Sequence, residues 1–228
     1  MNRLTTILIA LLLPFVAEAD WFDDIRDGDD KEALYRTLYY MPKGGDLHNH
    51  LSGAVFAEWW YELALAEKER GYEYYTKVSI NNCRDYGGNA FKAAPYFLLF
   101  RNISALEYAQ LDACEQGEYK PLADLDDREK AGWMNSIRLD KPWEGRDEFF
   151  QTHWQRLNAI GRNPWLQAET LVKNLQAYAA EGVVYVEYQI GAGPYEGPKG
   201  EIIDGPQAFD ILRETLARKE VRDLGVTV

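Results

Sequence analysis

The chain reads as an α/β protein of the (β/α)8 barrel class, carrying about two and a half of the barrel's strands. Three observations predict this. A short strand at residues 46–51 follows the turn signal Pro42-Lys43-Gly44-Gly45 and leads through Ser52-Gly53 into a helical pattern. A run of β-branched and aromatic residues at 183–190 makes a second strand behind a long helix. Val226-Thr227-Val228 then opens a third. So few strands would leave unpaired edges and an uncovered apolar face. The expectation is therefore the N-terminal portion of a longer barrel, with a complete small α/β domain as the rival reading.

The elements follow in order. Residues 1–19 read as a signal peptide: Arg3, a mostly apolar run at 4–16, and an Ala17-Glu18-Ala19 cleavage site. The run is shorter than the ~20 residues of a spanning helix, and no other stretch is long and apolar enough to span a membrane. A secreted or periplasmic mature chain, 20–228, is expected. Residues 20–30 are acidic, with Trp21, Phe22 and Ile25 as anchors. Asp30 caps a helix at 31–40 with Leu34 and Leu38 on one face, and Pro42 and the paired glycines stop it. After the first strand comes a helix at 55–70, with Val55, Trp59, Leu63 and Ala66 as its buried stripe and Gly71 as its stop.

Residues 72–146 break the βα rhythm and read as an inserted subdomain. They hold Cys83, Cys114, Gly87-Gly88, Pro95, Pro121, the acidic run 124–127 and a locally apolar stretch at 96–100. In an exported chain the two cysteines are expected to form a disulfide, worth about 3–4 kcal/mol for a loop of this length. The alternative is a pair of buried thiols. Asn102-Ile103-Ser104 matches a glycosylation sequon.

The βα pattern returns with a helix at 147–160, whose apolar face is Phe149, Phe150, His153, Trp154, Leu157 and Ile160. His153 is expected as a hydrogen-bonded core residue rather than a ligand. Pro164 starts a helix at 165–181 with Leu171, Leu175 and Tyr178 inward, and Gly182 ends it. A last helix, 207–224, turns Phe209, Leu212, Leu216 and Val221 inward and stops at Gly225.

Composition bounds the function. Of 228 residues, 46% are hydrophobic and 14% aromatic, which argues against disorder and for a real core. The formal net charge of −12 argues against binding a nucleic-acid polymer, which needs clustered Lys and Arg. A neutral nucleoside is not excluded by it.

The chemistry concentrates at His48 and His50, two of the three histidines in the chain. Residues two apart on a strand share a face, so both rings aim at one point, as a metal bound at a strand end requires. The plain alternative is two separately hydrogen-bonded imidazoles. Met41-Pro42-Lys43-Gly44-Gly45-Asp46-Leu47-His48-Asn49-His50-Leu51-Ser52-Gly53-Ala54 resembles the opening of the adenosine deaminase family of the amidohydrolase superfamily. Glu181-Gly182-Val183-Val184-Tyr185-Val186-Glu187 resembles that family's second barrel strand. With the leader, the match is most similar to the secreted, growth-factor-related branch.

The resemblance implies zinc-dependent hydrolysis of adenosine to inosine and ammonia, with His48 and His50 as two Zn2+ ligands. It places a third histidine, an aspartate ligand, a glutamate proton donor and a water-positioning histidine beyond Val228, so the chain alone should be inactive. Ser52 stands where the family usually has the aspartate that contacts the ribose 5′-hydroxyl; it either keeps that contact or caps the next helix. Gln189 stands where an arginine is common, and Glu187 is read as structural. Phe150 and Trp154 have the spacing of two aromatics at the family's substrate entrance, against ordinary core packing. The insertion is implied in surface or receptor binding, or else is a lid or a homodimer contact. Two other readings remain: a different hydrolase of the superfamily, and a non-catalytic secreted binding protein.

Overall fold

The architecture is seen in a computed structural model that describes residues 20–81, 83, 101–191 and 193–228. The leader at 1–19, Gly87-Gly88, Pro95 and the apolar stretch 96–100 lie outside the described residues. The chain divides into two units, with the boundary between Pro42 and Lys43.

In the first unit, α1 (Asp20–Asp27) precedes α2 (Lys31–Tyr40). Asp30 caps α2, its Oδ1 accepting from the Ala33 N–H at 2.9 Å. No residue of α2 is buried, and Leu38 is 44% exposed. The expected Leu34–Leu38 stripe therefore builds no core, because a ten-residue helix supplies only one layer.

The second unit runs β1 (Gly45–His50), a 3₁₀ turn (Leu51–Ala54), α3 (Ala57–Ala66) with a 3₁₀ extension (Glu67–Arg70), β2 (Tyr74–Lys77), β3 (Ile103–Ser104), α4 (Ala105–Ala109), α5 (Ala113–Gln116), β4 (Tyr119–Pro121) and α6 (Asp127–Asn135). α7 (Arg146–Glu148) continues through a π-helical stretch (Phe149–His153) into α8 (Trp154–Gly161). Then come α9 (Pro164–Ala180), β5 (Tyr185–Gln189), β6 (Tyr195–Glu196), β7 (Ile202–Ile203), α10 (Gly205–Leu216) and α11 (Lys219–Arg222).

Alternation along β5 orients the sheet. Val186 is buried and Tyr188 half-buried, while Tyr185, Glu187 and Gln189 lie on the exposed side. β1 pairs with β5 in parallel, and Thr227 pairs in parallel with Tyr185. The Thr227 N–H donates to the Val184 carbonyl at 2.9 Å, and its carbonyl accepts from the Val186 N–H at 2.8 Å. Leu171 and Leu175 of α9, Leu212 of α10 and Val221 of α11 close over Val186 and Leu51. Each fully buried aliphatic side chain there contributes roughly 1.5–3 kcal/mol. One sheet face is thus packed, and His48 and His50 lie on exposed positions of β1.

The insertion shares its core with the βα elements. β2 lies between β3 and β4 in an antiparallel sheet. Tyr74, Leu122 and Trp133 pack with Trp60 and Tyr61 of α3 and with Leu157 and Ile160 of α8. This shifts the buried face of α3. The inward residues are Ala57, Trp60, Tyr61 and Ala64, not the expected Val55, Trp59, Leu63 and Ala66. Tyr61 sets the phase: its hydroxyl donates to the Leu122 carbonyl at 2.7 Å and its ring meets Trp133 edge-on. A disulfide joins Cys83 and Cys114.

Two more expectations change, and the sequon asparagine proves buried. Asn102 of the sequon is 1% exposed; its Nδ2 donates to the Arg156 carbonyl at 2.6 Å and its Oδ1 accepts from Trp133 Nε1 at 2.8 Å. It ties the insertion to α8 and is not open to a glycan in the folded chain. The face expected at 147–160 splits. His153, Leu157 and Ile160 are buried, but Phe150 and Trp154 are 55% and 41% exposed. The wider π-helical turn moves the helix out of the 3.6-residue phase that united them. The helix expected at 207–224 breaks after Ala217, and Phe209 is exposed because Ala208 takes the inward position against Tyr195 and Ile203. Among the described residues no helix is long and apolar enough to cross a membrane.

Candidate metal centre

The centre is built on β1. Gly44 turns the chain with φ +71°, a conformation that favours glycine. At Gly45 a Cβ would stand 3.1 Å from the Tyr185 Cβ and carbonyl oxygen, so a larger residue would push β1 a few tenths of an ångström away from β5. The register then shifts. Asp46 sits opposite Val186 and Asn49 opposite Tyr188. Three steps on β1 thus match two on β5, which is a β-bulge at Leu47-His48.

In a regular strand Asp46, His48 and His50 would share one face. Here Asp46 and Asn49 are the half-buried positions, and His48 and His50 are exposed. The two Nε2 atoms are 3.3 Å apart, with ring planes at 68°. Two nitrogens each ~2.05 Å from one tetrahedral zinc stand about 3.3 Å apart. The separation fits two ligands of a single ion, and equally a hydrogen bond between the two rings. Among the described residues no third His, Cys, Asp or Glu joins it.

Asp46 enters a hydrogen-bonded cluster with Tyr178 and Asn49. Its Oδ2 accepts from the Tyr178 hydroxyl at 2.6 Å and from Asn49 Nδ2 at 3.0 Å. Its Oδ1 accepts from the backbone N–H of His48 at 3.1 Å, and Asn49 Nδ2 also donates to the Tyr178 oxygen at 2.8 Å. The Tyr178 hydroxyl, then Asn49 and the His48 N–H, hold the Asp46 carboxyl below its ordinary pKa. Burial, and then the bond to Asp46, push the Tyr178 phenol up to about 12.

Beside the strand end lies an open cleft of about 410 Å³, a size suited to a small molecule. His50, Ser52 and Gln189 line it on the strand side, and Trp154, Gln167 and Tyr195 on the helix and loop side. His50 and Gln189 are neighbours in register. Arg162 also reaches the cleft, but Glu107 and Glu196 each take its Nη2 at 3.2 Å. Ser52 lies within the 3₁₀ turn, and α3 is capped from Phe56 without a side-chain bond, so Ser52 is not a helix cap. Trp154 borders the cleft; Phe150 lies under the Arg146 guanidinium instead. Phe149 comes near the strand end, 3.8 Å from where a Cβ on Gly53 would stand. Glu187 accepts from the Tyr185 hydroxyl at 2.8 Å.

The Asp46–Asn49–Tyr178 cluster, Gln167 and Tyr195 escaped sequence reasoning. The one local signal was an acidic residue two places before a histidine, a spacing that lets a carboxylate bond the backbone.

His153 is buried away from the centre. Its Nε2 is 3.6 Å from Glu144 Oε1, and among the described residues its Nδ1 has no partner. Burial lowers its pKa, and Glu144 opposes this. Below the ordinary imidazole value of ~6.5 the unfolded chain then takes up a proton that the folded chain resists, so this residue removes stability as pH falls. The melting temperature of the wild type is expected to drop more between about pH 7 and 5 than that of His153→Gln. Parallel melting curves for the two proteins would contradict this.

No protein-family model matches the sequence, and no curated protein matches it.

Proposed function

We propose that this chain forms the opening part of a (β/α)8 barrel of the adenosine deaminase type and supplies two zinc ligands and part of the pocket for hydrolytic deamination of a purine nucleoside. The observation that carries the reading is the 3.3 Å separation of His48 Nε2 and His50 Nε2 at the end of a parallel strand. The cleft beside them supports it, as does the resemblance of residues 41–54 and 181–187. Zinc in such a site acidifies water and so supplies a nucleophile at neutral pH.

The remaining roles belong to side chains. His48 and His50 hold the ion. Ser52 and Gln189 offer hydrogen bonds to a ribose or base edge, and Trp154 offers a wall for a planar ring. Arg162 is already neutralised by two carboxylates, which favours an uncharged nucleoside over a nucleotide. The disulfide and the leader fit an exported protein.

With two ligands in place, the chain alone is expected to bind purine riboside but to release no ammonia from adenosine. Calorimetry with purine riboside tests the first part, and Trp154→Ala should weaken binding about tenfold, in line with the loss of a stacked aromatic. Equal binding by the variant, or equal affinity for adenosine monophosphate, would contradict the reading.

A further inference from the structure

We infer that Tyr178, Asp46 and Asn49 are positioning residues of the histidine pair: they clamp the β1 bulge, and the bulge brings the two rings together. The inference rests on the proposed zinc reading for its use, but not for its geometry. Three features carry it. First, the extra residue in β1 falls between Asp46 and Asn49, the two positions that the cluster ties together. Second, the tie closes on the bulge itself, because Asp46 Oδ1 accepts from the His48 N–H. Third, the anchor lies far along the chain, on a long helix. Tyr178 of α9 is 132 residues from Asp46, bonds its carboxylate at 2.6 Å, and also accepts from Asn49.

The physical role follows. A bulge leaves one residue of the ladder unpaired and re-aims its neighbours. Without a tie, β1 is free to regain regular alternation. Asp46 would then return to the face of the histidines, and the spacing of His48 and His50 would no longer be fixed. Tyr178 prevents this by holding Asp46 on the helix side of the sheet. The cluster thus couples the packing of α9 to the separation of the two imidazole nitrogens.

Tyr178→Phe removes one hydroxyl and is the test. Zinc affinity of the folded chain is expected to fall about 10–100-fold, the range for loss of an outer-shell partner. Asp46→Ala should fall as far, and Asp46→Asn, which still offers an oxygen to the His48 N–H, should recover much of the loss. Tyr188→Phe is the control, since the Tyr188 hydroxyl is buried with no partner among the described residues; it should leave affinity unchanged. A second readout needs no metal: through-space NMR cross-peaks between the His48 and His50 rings should be present in the wild type and in Tyr188→Phe, and absent from Tyr178→Phe. Wild-type affinity and wild-type cross-peaks in Tyr178→Phe would overturn the inference. Cross-peaks that vanish in Tyr178→Phe, with no zinc bound by the wild type, would support the clamp and sink the zinc reading instead.

Discussion

Replacing either His48 or His50 with alanine is expected to abolish specific zinc binding, a loss larger than the roughly 10–100-fold that an outer-shell substitution costs. The expectation follows from count and geometry. The described residues bring two nitrogens to the site and no third His, Cys, Asp or Glu. Removing one leaves a single ligand, which holds the ion no better than any exposed histidine. Both side chains sit on exposed strand positions, so the fold should not suffer. Melting temperature should therefore stay near that of the wild type while affinity collapses. His153→Gln removes the third histidine and should leave zinc affinity intact, because His153 is buried beside Glu144. Competition with a metal-chelating dye reads all three variants. Undiminished binding by His48→Ala or His50→Ala would remove the basis for the centre.

Glu118→Ala is expected to destabilise the second unit by about 3–5 kcal/mol. Lys77 on β2 and Glu118 just before β4 form an ion pair in which both side chains are almost fully buried. The Glu118 carboxylate also accepts from the Asn81 N–H, and the Lys77 ammonium lies 5.0 Å from the centre of the Tyr119 ring. The Glu118 carbonyl accepts from the Val78 N–H at 2.8 Å, so backbone and side chain tie the same two segments together. Deleting the acid takes a carboxylate away from a buried ammonium, and breaking a buried pair from one side costs far more than the attraction itself contributes. Replacing both partners, as in Lys77→Met with Glu118→Leu, should recover much of the loss. Urea unfolding measures this. A cost for Glu118→Ala within about 0.5 kcal/mol, the level of a surface change, would show that the pair is not buried in solution.

Much of the frame was legible in the chain. The run at 183–190 reads as a strand because its alternation and β-branching are local; Asp30 marks a helix start by a bond made within one turn, and Pro164 does so by its fixed φ at the first helical position. His48 and His50 stood out because a period of two needs no knowledge of the partner strand. What needed a partner was not legible. The bulge exists only relative to β5, and the tie that holds it reaches Tyr178, read from sequence as a packing residue. The phase of α3 was misjudged because the stripe was matched to a barrel face, while Trp60 and Tyr61 turn toward Leu122 and Trp133 of the insertion. The insertion's strands are two to four residues long, too short for alternation to show. Phe150 and Trp154 were placed on one face by a 3.6-residue count that a π-helical turn does not obey.

The most direct test of the central claim is anomalous diffraction at the zinc edge from crystals of the chain grown with Zn2+. A peak about 2.0–2.1 Å from both His48 Nε2 and His50 Nε2 is the predicted result. A peak on one ring alone, or bound zinc at some other place with this pair bare, would contradict it.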